Sequence, residues 1–202
     1  MSTSTRTHTR TRTRAAALAV GLAAPFLLTA CGGDDGEVAA SADHNAADVE
    51  FATDMIPHHA QALVMVDMAD GRDLTPETAD LMERIEAAQA PEIEQMTGWL
   101  EEWDEPVPNS DGMGMMDGMD GMDMGDMSGM MSQQDFDDLE AAQGSAFERM
   151  WLSMMIAHHE GAVEMSEVQL EEGEYADALA LAESIIESQQ AEIEEMEELL
   201  ER

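Results

Sequence analysis

Lysine is absent from this chain and cysteine nearly so, and both gaps narrow what the protein can be. All eight of its basic residues are arginine, set against 45 Asp and Glu. Every acid lies beyond Cys31, where only Arg72, Arg84, Arg149 and Arg202 oppose them. A polyanion would meet repulsion on every side of such a domain, which excludes a nucleic-acid partner. The single cysteine leaves no intramolecular disulfide, so packing alone must hold the fold. Catalytic signatures are missing too. No histidine has a glutamate three residues before it, the spacing that di-iron carboxylate bundles use. His159-Glu160 opens a zinc-protease pattern that no second histidine completes, and no Gly-rich phosphate loop or nucleophile elbow occurs. The expectation is a protein with no catalytic residues, a metal-dependent redox enzyme being the weakest of the readings.

What is present begins with an address. Four arginines in residues 1–14 precede an apolar run, Ala15 to Leu28, too short for an ordinary transmembrane helix. Leu28-Thr29-Ala30-Cys31 resembles a bacterial lipobox. Residues 1–30 then form a lipoprotein signal peptide, Cys31 carries lipid, and residues 31–44 form a flexible polar tether. The predicted location is the extracytoplasmic face of the cell membrane, reached through the lipid anchor alone. The acidity of the rest fits a solubilising surface in a salty habitat, or a surface that concentrates cations.

A duplication organises residues 45–202. DMIPHHAQALVM (Asp54 to Met65) matches MMIAHHEGAVEM (Met154 to Met165) at an offset of one hundred residues. IEAAQAPEIEQM (Ile85 to Met96) matches IIESQQAEIEEM (Ile185 to Met196) at the same offset. Repeat 1 covers about 45–103 and repeat 2 about 132–202. Helical spacing of apolar residues predicts a helix over 45–69, with Pro57 marking a kink or a new first turn. Thr75-Pro76-Glu77 starts a second helix, bent at Pro91 and running to about Trp103, with Leu81, Ile85, Ile93, Met96 and Leu100 inward. Ser132 with Asp135 caps a short helix ending near Gly144. A third long helix spans Ser145 to Glu172 and stops at Gly173. The fourth runs from Tyr175 to Leu200, with Leu179, Ile185, Ile193, Met196 and Leu200 inward. Two such hairpins and no strand pattern predict an all-α four-helix bundle in which a pseudo-two-fold brings the two double-histidine segments together.

The chemistry-bearing residues recur in both repeats. Met55, His58 and His59, and Met155, His158 and His159, sit three and four residues apart, so thioether and imidazole share a helix face. Met65 and Met165 lie seven residues past the first histidine of each pair, about 10 Å along the axis and too far to share one ion with it. Glu92 and Met96, with Gln89, share a face of the partner helix, as do Glu192, Met196 and Gln189. Adjacent histidines diverge by about 100° around a helix axis, which predicts that one of each pair faces solvent or a groove. Two readings stay open. Either the histidines bond to the facing Glu or Gln and merely specify packing, or they hold a metal ion. Imidazole plus thioether without thiolate favours copper, Cu(I) most where methionine dominates. Between the repeats, residues 104–131 contain Met113, Met115, Met116, Met119, Met122, Met124, Met127, Met130 and Met131, separated by Gly and Asp. Such a loop is expected to be mobile and coreless, and to capture copper itself.

M-I-x-H-H-x-x-A-x-x-M followed by Q-x-x-E-I-x-x-M resembles the bacterial domain-of-unknown-function 305 family over essentially all of residues 45–200. The resemblance implies a ferritin-like, exported fold, with periplasmic copper binding in some members. It implies copper sites at Met55, His58, His59, Met65, Glu92 and Met96 and at Met155, His158, His159, Met165, Glu192 and Met196, with Gln89 and Gln189 supporting them. The expected function is a lipid-anchored protein that sequesters, buffers or transfers copper, with a copper pump or multicopper oxidase as a possible partner. The alternative is an acidic helical interaction module at the cell surface with structural histidines.

Overall fold

The structure, a computed structural model, describes residues 44–109 and 128–202. The expected signal peptide (residues 1–30), Cys31, most of the expected tether and Met113, Met115, Met116, Met119, Met122, Met124 and Met127 lie outside the described residues. Among the described residues there are five α-helices and no strand: α1 (Ala46–Asp67), α2 (Pro76–Glu102), α3 (Gln133–Ala141), α4 (Ser145–Glu172) and α5 (Ala176–Leu200). None is long and apolar enough to cross a membrane.

The helix starts follow from local chemistry. Asn45 caps α1 by accepting from the Ala47 and Asp48 N–H groups, and the Asp48 carboxylate reciprocates on the Asn45 N–H at 2.8 Å. Thr75 caps α2, with Pro76 in the first turn, and Ser132 with Asp135 boxes the start of α3. Gly144 precedes α4 with φ of 56°, a left-handed conformation in which a Cβ would be strained. Helices α1 and α2 run unbroken through Pro57 and Pro91, so neither proline begins a new helix. Burial on both flanks of Pro57 outweighs the missing hydrogen bond.

Helix α1 pairs with α2 and α4 with α5. The two hairpins meet chiefly through α1 on α4, while α3 lies on α4. The histidine-bearing helices are therefore central. The apolar interior falls into two clusters. One holds Met65, Leu81, Ile85, Phe147, Trp151, Met155 and Met196. The other holds Phe51, Met55, Met96, Trp99, Leu100, Tyr175 and Ile185. Equivalent residues of the two repeats (Met55 and Met155, Ile85 and Ile185, Met96 and Met196) fall in opposite clusters. The pseudo-two-fold that relates the repeats therefore exchanges the two cores, and the histidines lie on the seam between them. Ile93, Leu179, Ile193 and Leu200, expected inward, are only half-buried, because α2 and α5 pack chiefly on one neighbour each and their wide stripes reach the edge.

The symmetry also produces a pair of carboxylate clasps at the same hundred-residue offset. Asp48, fully buried on α1, accepts from Gln169 Nε2 at 2.6 Å and from the N–H groups of Glu174 and Tyr175 at the start of α5. Glu148, on α4, accepts from Thr75 N–H at 3.2 Å and from the Thr75 hydroxyl at the start of α2. Each repeat's first helix thus ties down the second helix of the other repeat.

Trp151 is the largest fully buried side chain and its Nε1 donates to the Met65 carbonyl at 2.8 Å. Trp151→Ala should cost about 3–5 kcal/mol through the cavity it leaves. Chemical denaturation would check this, and a loss under about 1 kcal/mol would mean that the first core is not packed as described.

Candidate metal centre

All four repeat histidines are buried at 0% exposure, so the expectation that one of each pair faces solvent or a groove is incorrect. The physical reason is the central position of α1 and α4: each packs on two helices at once, and two directions about 100° apart both point inward. His59 Nε2 donates to Glu92 Oε2 at 2.7 Å within the first hairpin, and His159 Nε2 donates to Glu192 Oε2 at 2.7 Å within the second. Across the seam the rings of His58 and His158 lie against each other at a tilt, with centroids 3.8 Å apart and planes 34° from parallel. His158 Nε2 donates to the His58 backbone carbonyl at 2.9 Å.

These bonds set tautomers. A ring whose Nε2–H is committed to a carboxylate or carbonyl carries, when neutral, a bare lone pair on Nδ1. Three rings, His59, His158 and His159, are held this way, and their Nδ1 atoms are buried with no partner. Neither ring nitrogen of His58 has a well-formed partner, although the Ser128 carbonyl lies against the ring. Burying five such nitrogens costs about 1–3 kcal/mol each unless something else satisfies them. The carboxylate on the far nitrogen is also how proteins orient a metal-binding imidazole and raise its basicity. The side-chain oxygens of Gln89 and Gln189 are likewise buried without partners.

Charge is kept out of the seam. Burial, then the neighbouring His59, pushes the His58 pKa from 6.5 down to about 3, against a small opposing pull from the Ser128 carbonyl. Burial, then His58, depresses His158 in the same direction. In the unfolded chain both rings protonate near 6.5, so the fold loses stability as pH falls below that, down to about 3 for His58 and in the same direction for His158. The slope approaches about 1.4 kcal/mol per pH unit for each histidine. Thermal melts at about pH 7, 5.5 and 4.5 check this; a melting temperature that is flat across that range contradicts it.

The sulfur donors flank the seam. Met55 and Met96 are fully buried in one core, with half-buried Met165 packed against them; Met155, Met196 and Met65 are fully buried in the other. Met65 therefore shares a core with Met155 and Met196 of the other repeat rather than with Met55 and Met96 of its own. Among the described residues no three His, Asp or Glu side chains converge as a metal site. Any ion at the seam would need sulfur or very few ligands. That suits a soft, low-coordinate metal better than zinc, whose sites in proteins are tetrahedral and rich in His, Cys or carboxylate.

Residues 128–131 differ from the expected free loop. Gln61 clamps the Met131 backbone, accepting from its N–H at 2.7 Å and donating to its carbonyl at 3.0 Å. Gly129, with φ of 78°, and Gly161 let this segment lie directly on α4; a Cβ on Gly161 would stand 2.1 Å from the Ser128 carbonyl. Met130 and Met131 are half-buried, and Met131 packs against the first core. Gln61 and Gly161 occupy equivalent positions of the two repeats. No signal in the sequence singles them out: the two motifs differ at six of their twelve positions, and this pair is one of the six.

Residues 48–200 match the family described as Domain of unknown function (DUF305). The fold is similar to that of a putative secreted protein of that family from Streptomyces coelicolor. That protein is 34% identical, with a TM-score of 0.66, covering 76% of this chain and 91% of that one. It is similar also to CopM in the Cu(II)-bound form, at 33% identity and a TM-score of 0.64, covering 76% of this chain and 95% of that one. CopM in the Cu(I)-bound form is 31% identical, with a TM-score of 0.61 and the same coverage. No curated protein matches. Two copies of the double-histidine motif, the paired glutamates and the family match over three-quarters of its length place this chain in the DUF305 family.

Proposed function

We propose that this protein binds copper at the histidine seam and sequesters, buffers or hands on the ion. One observation carries the reading: five buried imidazole nitrogens without partners, four of them Nδ1 and three of those on rings whose Nε2 is already committed. A purely structural role for the histidines accounts for the bonds to Glu92 and Glu192 but not for these nitrogens. Copper forms of CopM, and its silver-bound form, support a soft ion in this fold. The imidazole ligands would be drawn from His58, His59, His158 and His159, one or two to an ion, since no three of these side chains converge. Met55, Met96 and Met165 would supply thioethers on one side, and Met155, Met196 and Met65 on the other. Glu92 and Glu192 would act through the imidazoles, and Gln89 and Gln189 would support them. The loop methionines from Met113 to Met131 would form a second, weaker Cu(I) trap.

The lipobox-like sequence ending in Cys31 supports anchoring at the extracytoplasmic face, where a copper pump or a multicopper oxidase would be the natural exchange partner. Cys31→Ser should release the protein from membranes and abolish lipid labelling; labelling that persists rules the anchor out.

Titration of the purified protein with Cu(I) against a competing chelator, without oxygen, tests the copper reading. Changing Met113, Met115, Met116, Met119, Met122, Met124 and Met127 to serine should remove weak sites and keep the tight one. Loss of all binding in that variant would make the bundle a scaffold for a methionine trap.

A further inference from the structure

The four histidines are at 0% exposure, so an ion reaches them only if something moves. The helices around the seam are long and packed. The irregular segment that lies on it is Ser128–Met131. Its Ser128 carbonyl sits against the His58 ring, and its anchors are few: the two bonds from Gln61, and Ser128 Oγ donating to Glu164 Oε2 at 2.5 Å. A groove of about 300 Å³ between α1 and α4 is lined by Glu50, Asp54, Glu164, Met165 and Ser128. On α1 the spacing Asp54, His58, Gln61 (four, then three residues) puts the groove wall, the seam histidine and the clamp on one helix face. The segment therefore lies where the groove meets the seam.

We propose that the groove is the route by which copper reaches the histidines, and that Ser128–Met131 is a removable cover held shut by Gln61 and seated by Gly161. This rests on the copper reading above. The carboxylates at the groove mouth raise the local cation concentration, and Met165 offers a soft donor along the way. Gln61 and Gly161 stand at equivalent positions of the repeats. Repeat 1 supplies a two-point amide clamp at this position and repeat 2 a residue without Cβ.

Two variants open the cover by different physical means. Gln61→Ala removes the clamp. Gly161→Ala pushes a methyl into the Ser128 carbonyl while favouring helix at that position, which keeps α4 intact. Diethyl pyrocarbonate modification of His58 in the full, metal-free protein, read by peptide mass spectrometry, reports the cover without copper. Stopped-flow Cu(I) uptake from a chelator reports the route. Both variants should modify His58 at least about tenfold faster and take up Cu(I) at least about tenfold faster, with unchanged helix content and cooperative melting. Unchanged His58 modification in both variants overturns the cover. Faster modification with unchanged Cu(I) uptake overturns the route; if tight equilibrium binding is missing as well, the copper reading itself has failed.

Discussion

Changing His58 and His158 together to leucine is expected to weaken Cu(I) binding by at least about a thousandfold and to leave the metal-free bundle as stable as before, or more so. The two rings meet at a tilt on the seam between the cores and carry three buried nitrogens without a well-formed partner. Leucine fills a similar volume and has no polar atom to desolvate, so the exchange relieves a cost of about 1–3 kcal/mol per unpaired nitrogen and loses one hydrogen bond worth about 1 kcal/mol. The acid sensitivity contributed by these histidines below pH 6.5 should vanish with them. A histidine pair kept for packing behaves in the opposite way: its loss unfolds the bundle and leaves metal affinity alone. Denaturation and competitive titration of the same variant separate the two.

Asp48→Ala is expected to cost about 3–5 kcal/mol, lowering the melting temperature by about 10 °C or more. Its carboxylate answers the N–H groups of Asn45, Glu174 and Tyr175 and the amide of Gln169, and alanine leaves them in a buried site without an acceptor. Burial alone would raise the Asp48 pKa, but those bonds prevail and the group is depressed below 3.8. The sign follows: the clasp is fully present above the unfolded pKa near 3.8 and is lost as pH falls through the lower folded value. Glu148, its counterpart, is only half-buried; burial raises its pKa, but bonds to Thr75 and Thr78 prevail and depress it, so Glu148→Ala should cost only about 1 kcal/mol. Thermal denaturation of the two single variants checks the ranking. Equal losses would mean that burial is not what gives the Asp48 clasp its weight.

Much of the scaffold is legible in the sequence. Asn45, Thr75-Pro76 and Ser132 announce helix starts because their side chains replace missing backbone partners, and Gly173 announces an end. The duplication conveys that the histidines meet, since repeated hairpins pack about a two-fold. Burial is less legible. In α1 the buried set includes Phe51, Ala52, Met55, Ile56, His58, His59, Ala60 and Gln61, almost the whole circumference, so periodicity does not single out an inner face. The helix with two neighbours hides what its spacing would expose. Gln61, Gly161, Asp48 and Glu148 escape a reading of the sequence for another reason. Their roles depend on what packs against them from elsewhere in the chain, and a linear order of residues does not say which match or mismatch between repeats touches a third segment.

The central claim is that copper is held by Nδ1 lone pairs at the seam. Long-range ¹H–¹⁵N NMR of the histidine rings, recorded without oxygen before and after one equivalent of Cu(I), tests it directly. The account predicts Nε2-protonated tautomers for His59, His158 and His159 in the metal-free protein, and a large shift of the Nδ1 resonance of one or two of them on binding while the Nε2–H signals stay. Tight binding with every imidazole nitrogen unmoved would contradict it and put the ion on the methionines alone.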